Sequence, residues 1–167
     1  RSAGDSGPGF GAQNVAPIGG DITLRASAIA GEASGTSTAV DNLGWVRGFT
    51  AHFDITAVPS GGTPTLDLYI QTQLASGDWQ DIAHYPQVTT STTNHIVSWE
   101  STGSNMGTQA ESAAVTVDNY FQEQDAALTV ATIRKMPLGA SMRVKWVFAA
   151  GGSTGDYTFA VTGTFRS

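Results

Sequence analysis

The chain has 167 residues, enough for one domain whose core needs no disulfide bonds, and it contains no cysteine. The missing cysteine excludes disulfides, thiolate–zinc sites, iron–sulfur clusters and cysteine nucleophiles. Eight basic against fourteen acidic residues give a net charge of −6, so we predict no contact with nucleic acid or a membrane, and no apolar run has the length of a membrane span.

The composition indicates an all-β protein. Charged residues make up only 13% of the chain and hydrophobic residues 40%, so glycine, serine and threonine supply much of the polarity. Threonine suits the pleated surface of a strand because its side chain branches at Cβ. We therefore expect exposed strand faces that are rich in threonine.

The first twenty residues, RSAGDSGPGFGAQNVAPIGG, are rich in glycine and proline and show little hydrophobic periodicity. Such a segment predicts an extended arm that becomes ordered only against a neighbouring molecule. The next segment, DITLRASAIA, alternates apolar and polar residues and predicts a half-buried strand, with Leu24 on the apolar side and Arg25 on the polar side. The small residues at 31–42 predict a loop.

Two alternating segments occupy the middle of the chain. GWVRGFTAHFDITAV predicts a long strand, with Trp45 in phase with the core residues Phe49 and Phe53 and with a bulge near Gly48. After the turn PSGGTP, the segment TPTLDLYIQTQLASGDWQDIAHYPQV predicts a hairpin with its turn at ASGDW. Residues 87–100 predict a further strand.

The C-terminal part predicts three more strands, LTVATIRKM, MRVKWVFA and YTFAVTGTF, with Trp146 in phase with the core. A short helix is plausible only at residues 119–128. About eight strands with glycine-rich turns are typical of a sandwich or barrel. We therefore predict an all-β fold, a single antiparallel β-sandwich of jelly-roll or Ig-like type at residues 21–167, after the extended N-terminal arm at residues 1–20.

Two motifs match those of serine hydrolases without the context that the chemistry needs. GDSGP, residues 4–8, resembles the nucleophile loop of trypsin-like proteases, but too few residues precede it for the histidine and aspartate partners. GGSTG, residues 151–155, matches a nucleophile elbow, which needs a strand followed by a helix. Predicted strands flank it on both sides, so we expect Ser153 at the tip of a hairpin and predict no enzymatic activity.

The histidines give no metal-binding pattern. His52, His84 and His95 lie on three different predicted strands, and no two of them have the spacing of metal ligands. We therefore predict neither a metal nor a cofactor.

Aromatic side chains near turns are the remaining candidates for ligand binding. Trp79, Tyr85 and Trp99 lie near turns or on the polar side of their strands, where an exposed ring could stack on a sugar. Asp78 and Asp81 could then hydrogen-bond the sugar hydroxyls. Packing in the core or at an interface is the favoured interpretation for each of the three rings.

The hairpin segment TPTLDLYIQTQLASGDWQDIAHYPQVT resembles one found in small structural proteins of tailed bacteriophages. In those proteins it follows a strand similar to GWVRGFTAHFDITAV and precedes a pair similar to MRVKWVF and YTFAVTGTF. The resemblance covers residues 21–88 and 141–165, whereas residues 101–125 look like an insertion. It implies a virion structural protein on the capsid surface, which decorates and stabilises the shell by binding the lattice of the major capsid protein.

The resemblance also implies which partners the protein binds and where on the chain the contacts are expected. A homo-oligomer is expected, and the capsid-binding residues are expected on exposed loops and in the arm, at Phe10, Val15 and Ile18. Many identical copies on a symmetric shell add their binding through multivalency. Two alternatives stay open, a tail or baseplate component and a carbohydrate-binding or host-adhesion module that uses Trp79, Tyr85 and Trp99.

Overall fold

The structure of the protein is a computed structural model, and it describes residues 20–29, 33–92, 94–100, 128–134, 136 and 138–167. These residues contain no helix. They form nine strands, namely β1 (Gly20–Ile29), β2 (Gly35–Thr36), β3 (Gly48–Ala57), β4 (Thr65–Gln73), β5 (Trp79–His84), β6 (His95–Glu100), β7 (Thr132–Ile133), β8 (Met142–Ala149) and β9 (Thr158–Arg166). The arm predicted at residues 1–20, apart from Gly20, and the segment 119–127 lie outside the described residues.

The strands form two antiparallel sheets that pack together. The four-stranded sheet has the order β1-β9-β3-β6, and the five-stranded sheet has the order β2-β8-β4-β5-β7. Apart from the two-residue strand β7, the pairs are nested along the chain, because β4 pairs with β5, β3 with β6, β2 with β8 and β1 with β9. A long hairpin rolled into two sheets gives this order, which is that of a jelly roll. The predicted β-sandwich is confirmed.

One hydrophobic core lies between the sheets. Strand alternation turns Phe53 and Phe159 inward from the four-stranded sheet and Leu68 and Ile70 inward from the five-stranded sheet, and all four are fully buried in one cluster. The rings of Phe53 and Phe159 meet edge-on, with their centroids 5.4 Å apart. Burial of such side chains is the main favourable contribution to folding.

Strand β1 has its predicted position but a different alternation. Its register against β9 shifts between Thr23 and Arg25 and again between Arg25 and Ala28. Leu24 and Arg25 are therefore both buried, and the prediction that Arg25 lies on an exposed polar side is wrong. The Arg25 guanidinium lies 3.8 Å from the centroid of the Phe159 ring and donates to the carbonyl oxygens of Phe159 and Ala28.

The GGSTG turn connects the two sheets, because β8 and β9 belong to different sheets. Thr154 in this turn exchanges backbone hydrogen bonds of 2.8 and 2.9 Å with Ser60, which lies in the connection between β3 and β4. Ser153 Oγ donates to the carbonyl oxygen of Ala150 at 2.6 Å. The prediction of a hairpin tip at Ser153 is therefore wrong, and the two connections bind each other at one end of the sandwich.

Three further local predictions differ from the structure. The segment 31–42 contains the short strand β2, and the strand predicted at 87–100 is confined to β6. The irregularity of β3 lies between Ile55 and Ala57, not near Gly48. Two-residue strands carry too few residues for a period-2 pattern, which explains why β2 was not predicted.

Candidate functional site

The outer face of the five-stranded sheet carries long polar side chains in regular rows. Because Leu68 and Ile70 face the core, Tyr69 and Gln71 on the same strand point away from it. The antiparallel register aligns each of these residues with a residue of β8 and a residue of β5. The two complete rows are Lys145–Tyr69–His84 and Arg143–Gln71–Asp81.

A β-bulge in β5 keeps the second row together. Ile70 pairs with Ala83 and Gln71 pairs with Asp81, so Ile82 is an extra residue between the two pairs, and its side chain is fully buried. Uninterrupted alternation would place Asp81 and Ala83 on the same side of the sheet. The bulge lets Ala83 face the core while Asp81 stays in the outer row beside Gln71.

The basic side chain of Lys145 crosses from β8 over β4 and ends on β5. Lys145 Nζ donates to both carboxylate oxygens of Asp81, at 3.0 and 3.1 Å, and lies 4.2 Å from the centroid of the Tyr69 ring. The lysine side chain is 28% exposed and the aspartate side chain only 4%. A pair that is this poorly hydrated is screened less by salt than an exposed surface pair.

Arg143 crosses the sheet in the same direction, one row away. Its Nε donates to Gln71 Oε1 at 2.8 Å, and Gln71 Nε2 in turn donates to Asp81 Oδ1 at 2.7 Å. The guanidinium carbon lies 4.1 Å from the centroid of the Trp79 ring, which is a cation–π contact. Burial lowers the pKa of Arg143, and Asp81 acts in the opposite direction. An arginine side chain nevertheless remains charged at neutral pH.

These side chains and the β4–β5 turn surround a cleft of about 310 Å³, which lies at the lower end of the range for small-molecule sites. Its lining consists of Gln71, Gly77, Asp78, Trp79, Asp81, Arg143 and Lys145. The turn is closed by hydrogen bonds from Leu74 N to the Asp78 carbonyl oxygen and from Gly77 N to the Leu74 carbonyl oxygen, at 2.8 and 2.9 Å. Gly77 has a φ of 92°, which glycine adopts without steric cost.

A second polar group adjoins the cleft around His84. The His84 ring stacks on Tyr69 with centroids 3.9 Å apart, and its Nδ1 lies 2.8 Å from the carbonyl oxygen of Leu128. Its Nε2 lies 3.1 Å from Asp67 Oδ1, and Gln87 Nε2 donates to the same carboxylate. Because both partners of the ring are acceptors, both hydrogen bonds form only when the imidazole carries two protons. Burial, together with Asp67 and Asp81, raises the pKa of Tyr69.

Three of the five candidate glycan-binding residues lie together in the cleft, namely Asp78, Trp79 and Asp81. Asp81 is engaged by its neighbours on the sheet, whereas no described residue hydrogen-bonds or pairs with the side chain of Asp78. The Trp79 ring carries the Arg143 guanidinium on one face. The cleft is therefore charged and polar, and one face of its aromatic ring, that of Trp79, is already in contact with Arg143.

The other two candidates, Tyr85 and Trp99, are buried in the core. Tyr85 is 2% exposed, and its hydroxyl donates to the carbonyl oxygen of Ala51 at 3.0 Å. Burial strongly raises the pKa of this phenol. Trp99 is 3% exposed and stacks on Phe49 with centroids 5.7 Å apart. Core packing is confirmed for both rings, and a surface platform of Trp79, Tyr85 and Trp99 does not form.

The remaining tryptophans only partly match their predicted positions. Trp45 is 38% exposed, so its predicted place in the core is wrong, since β3 begins only at Gly48. Trp146 is partly buried against the core, with its ring 5.8 Å from that of Phe159. The predicted capsid-binding residues of the arm lie outside the described residues, namely Phe10, Val15 and Ile18.

The outer face of the four-stranded sheet has a different chemistry. Its two rows are Asp21–Thr164–Thr50–Ser98 and Thr23–Thr162–His52–Ile96. The hydroxyls of Thr50 and Ser98 are 3.1 Å apart, and Thr164 donates to Asp21 at 2.8 Å. A shallow depression of about 420 Å³ lies over β1, β9 and β3. Ile96 is 63% exposed on this face.

Sequence reasoning missed Gln71, Arg143 and Lys145 as part of the cleft. All three occupy polar positions of predicted strands, so the alternation indicated that they lie on the outer face of a sheet. Their meeting depends on the pairing of β4 with β8, two strands that are about seventy residues apart in the chain. Hydrophobic periodicity assigns a side chain to a face but does not determine the partner strand.

Comparison of the chain with protein-family models, curated proteins and solved structures finds no match in any of the three. In the part of the chain that the structure describes, no group of three or more histidine, aspartate or glutamate side chains is placed to hold a metal ion. The same residues include no helix with the length and apolar character of a membrane span.

Proposed function

We propose that the protein is a non-enzymatic structural protein of a phage virion, which decorates and stabilises the capsid by binding the major capsid protein lattice. The observation that carries this proposal is the jelly-roll order of the strands, together with the segments that build it. Jelly rolls occur in viral capsid domains and in lectins. The segments that resemble phage structural proteins supply β1, β2, β3, β4, β5, β8 and β9, which include the inner strands of both sheets.

The edges of the sheets also support a role at high local concentration. A protein packed in many copies on a shell must avoid uncontrolled strand pairing between neighbours. Among the residues that the structure describes, two of the four edge strands, β2 and β7, have only two residues, and a third, β1, has two register shifts. Short and irregular edges are common protections against such pairing. β6, the fourth edge, pairs with β3 without a register shift and carries the exposed Ile96.

The test is reconstitution on capsids that lack the protein. The full chain should sediment with these capsids and raise the temperature at which they release DNA, because a bound clamp stabilises the assembled state. Replacing Phe10, Val15 and Ile18 together by serine should remove most of the binding. The matched control replaces three exposed apolar residues of the domain by serine, namely Ile29, Val130 and Val147.

The outcomes separate the arm from the domain. Retained binding in the control and lost binding in the arm variant is the expected result. Equal loss in both variants would place the contact partly on the domain. Failure of the unmodified chain to bind any capsid preparation would contradict the proposal.

A carbohydrate-binding or host-adhesion role is the second candidate, and the cleft favours it. Asp78, Trp79 and Asp81 converge there, and jelly rolls also serve as lectin domains. Screening the protein on a glycan array tests this role, with Trp79→Ala as the comparison. Retention of a glycan by the wild type and its loss in Trp79→Ala would support the role, and no retention of any glycan would contradict it.

A further inference from the structure

The cleft on the five-stranded sheet has a floor whose polar side chains hydrogen-bond mainly to one another. Asp81 receives hydrogen bonds from Lys145 and Gln71, and Gln71 accepts one from Arg143. The charge of Lys145 is therefore matched by Asp81, which is almost fully buried. A ligand in the cleft would meet this floor as a rigid polar surface and would gain little by breaking the pair between Lys145 and Asp81.

One cationic group in the cleft has unused hydrogen-bonding capacity. Arg143 is fixed by its Nε bond to Gln71 and by its contact with the Trp79 ring. Among the described residues, neither of its two terminal Nη groups has a hydrogen-bond partner. A guanidinium presents a planar fork that matches the two oxygens of a carboxylate. Because Trp79 and Gln71 hold this fork in place, little side-chain entropy remains to be lost when an anion binds.

The charge around Arg143 limits which anion fits. Asp78 lines the same cleft and forms no ion pair with a described residue, and Asp81 lies in the floor. With a net charge of −6, the protein disfavours polyanions such as nucleic acid. A ligand with one carboxylate next to several hydroxyls fits better, because the Asp78 carboxylate can accept hydrogen bonds from hydroxyls.

We propose that this cleft binds an acidic saccharide, with Arg143 as the bidentate donor to the sugar carboxylate and Asp78 as an acceptor of its hydroxyls. The inference rests on the second candidate function and specifies its ligand. In this inference the Trp79 ring does not stack on the sugar. It contacts the Arg143 guanidinium and holds it in place. The saccharide is thus recognised through its charge more than through stacking.

The test compares an acidic with a neutral sugar on the full chain. Isothermal titration uses a short oligosaccharide containing glucuronate, the same chain with glucose in its place, and a short peptide with a free carboxylate. The acidic saccharide should bind at least about tenfold more tightly than the neutral one, since the guanidinium fork would otherwise find no partner. The peptide should bind more weakly than the acidic saccharide because it lacks the hydroxyls.

Three variants identify the residue responsible. Arg143→Gln should weaken binding of the acidic saccharide at least about tenfold, and Arg143→Lys should restore only part of it, because lysine keeps the charge without the planar fork. Arg47→Gln is the matched control, since it removes the same charge from an exposed arginine in the connection between β2 and β3. Thermal unfolding of each variant checks that the fold is retained.

Several results would overturn the inference. Equal affinity for the acidic and neutral saccharides would show that the protein does not recognise the carboxylate. This result would still be compatible with the general carbohydrate-binding role. Preference for the peptide would make the cleft a protein-binding site. Equal effects of Arg143→Gln and Arg47→Gln on the affinity for the acidic saccharide would show that Arg143 does not bind the carboxylate. Absence of binding for every probe would contradict the inference, while the glycan array tests the carbohydrate-binding role and the capsid experiment tests the virion proposal.

Discussion

The two outer faces of the sandwich follow the same strand alternation but differ in the length and charge of their side chains. On the five-stranded sheet, Arg143 and Lys145 cross the middle strand to reach Trp79 and Asp81. On the four-stranded sheet, the corresponding row consists of short groups, and the hydroxyls of Thr50 and Ser98 contact each other directly. One face is thus a network of long side chains, and the other carries mainly short hydroxyl side chains, together with His52 and Ile96.

This difference has a physical consequence for binding. Long side chains that lie across neighbouring strands exclude water from one another, which explains why Asp81 is only 4% exposed although it belongs to an outer row. Such a network fixes polar groups in one geometry and suits recognition of a particular small ligand. Short hydroxyls leave a flat surface that suits contact with another large surface. We expect the first face to provide selectivity and the second to tolerate substitution.

The largest expected effect comes from breaking the core that both faces share. Phe53→Ala removes a fully buried ring that contacts Tyr85 and Phe159. The free energy of unfolding should fall by about 3–5 kcal/mol, because the variant loses buried apolar surface and leaves a cavity. Urea denaturation followed by tryptophan fluorescence measures the change. A loss below about 1 kcal/mol would show that Phe53 is not a central core residue.

A pair of aspartates tests the difference between the faces. Asp81→Ala leaves Gln71 and Lys145 without their buried acceptor and should lower the free energy of unfolding by about 1–3 kcal/mol. Asp21→Ala on the other face removes an acceptor of the exposed Thr164 hydroxyl and should change it by no more than about 0.5 kcal/mol. Urea denaturation of both variants gives the comparison, and equal effects would contradict the contrast between the faces.

The pH dependence of stability gives a smaller expected effect. Burial lowers the pKa of His95, which lies near the Phe53 ring at the edge of the four-stranded sheet. Below about pH 6.5 the unfolded chain therefore takes up this proton before the folded protein does, and the free energy of unfolding falls as the pH decreases. Urea midpoints measured between pH 7 and pH 5 should fall less steeply for His95→Gln than for the wild type. A His95→Gln curve as steep as that of the wild type would exclude this contribution.

The smallest effect on stability is expected on the outer face of the four-stranded sheet. Ile96 is 63% exposed, so Ile96→Thr removes little buried surface and keeps a β-branched residue in β6. The free energy of unfolding should change by no more than about 0.5 kcal/mol. A loss above about 1 kcal/mol in urea denaturation would indicate that Ile96 is covered in solution, for example by a second copy of the chain.

The sequence allowed prediction of the strands whose alternation is long and regular. Leu66, Leu68 and Ile70 gave β4 its position and its buried side, and the turn before Trp79 gave the hairpin. The alternation failed at Arg25, because a bulge moves this charged residue inward, where it contacts the rings of Trp146 and Phe159, which lie far away in the chain.

The candidate site was predictable only in part. Asp78, Trp79 and Asp81 are close in sequence and form one wall of the cleft, so their proximity could be predicted from the hairpin. Arg143 and Gln71 meet through the pairing of β8 with β4, which local periodicity does not specify. Tyr85 turns into the core because the bulge at Ile82 changes the alternation of β5.

The most direct test of the proposed virion role is the copy number of this chain in phage particles purified from cells that carry its gene, measured by quantitative mass spectrometry. The proposed role predicts many copies per particle, in a simple ratio to the major capsid protein. A handful of copies per particle would indicate a component of the tail or baseplate instead. Its complete absence from virions would contradict the virion role.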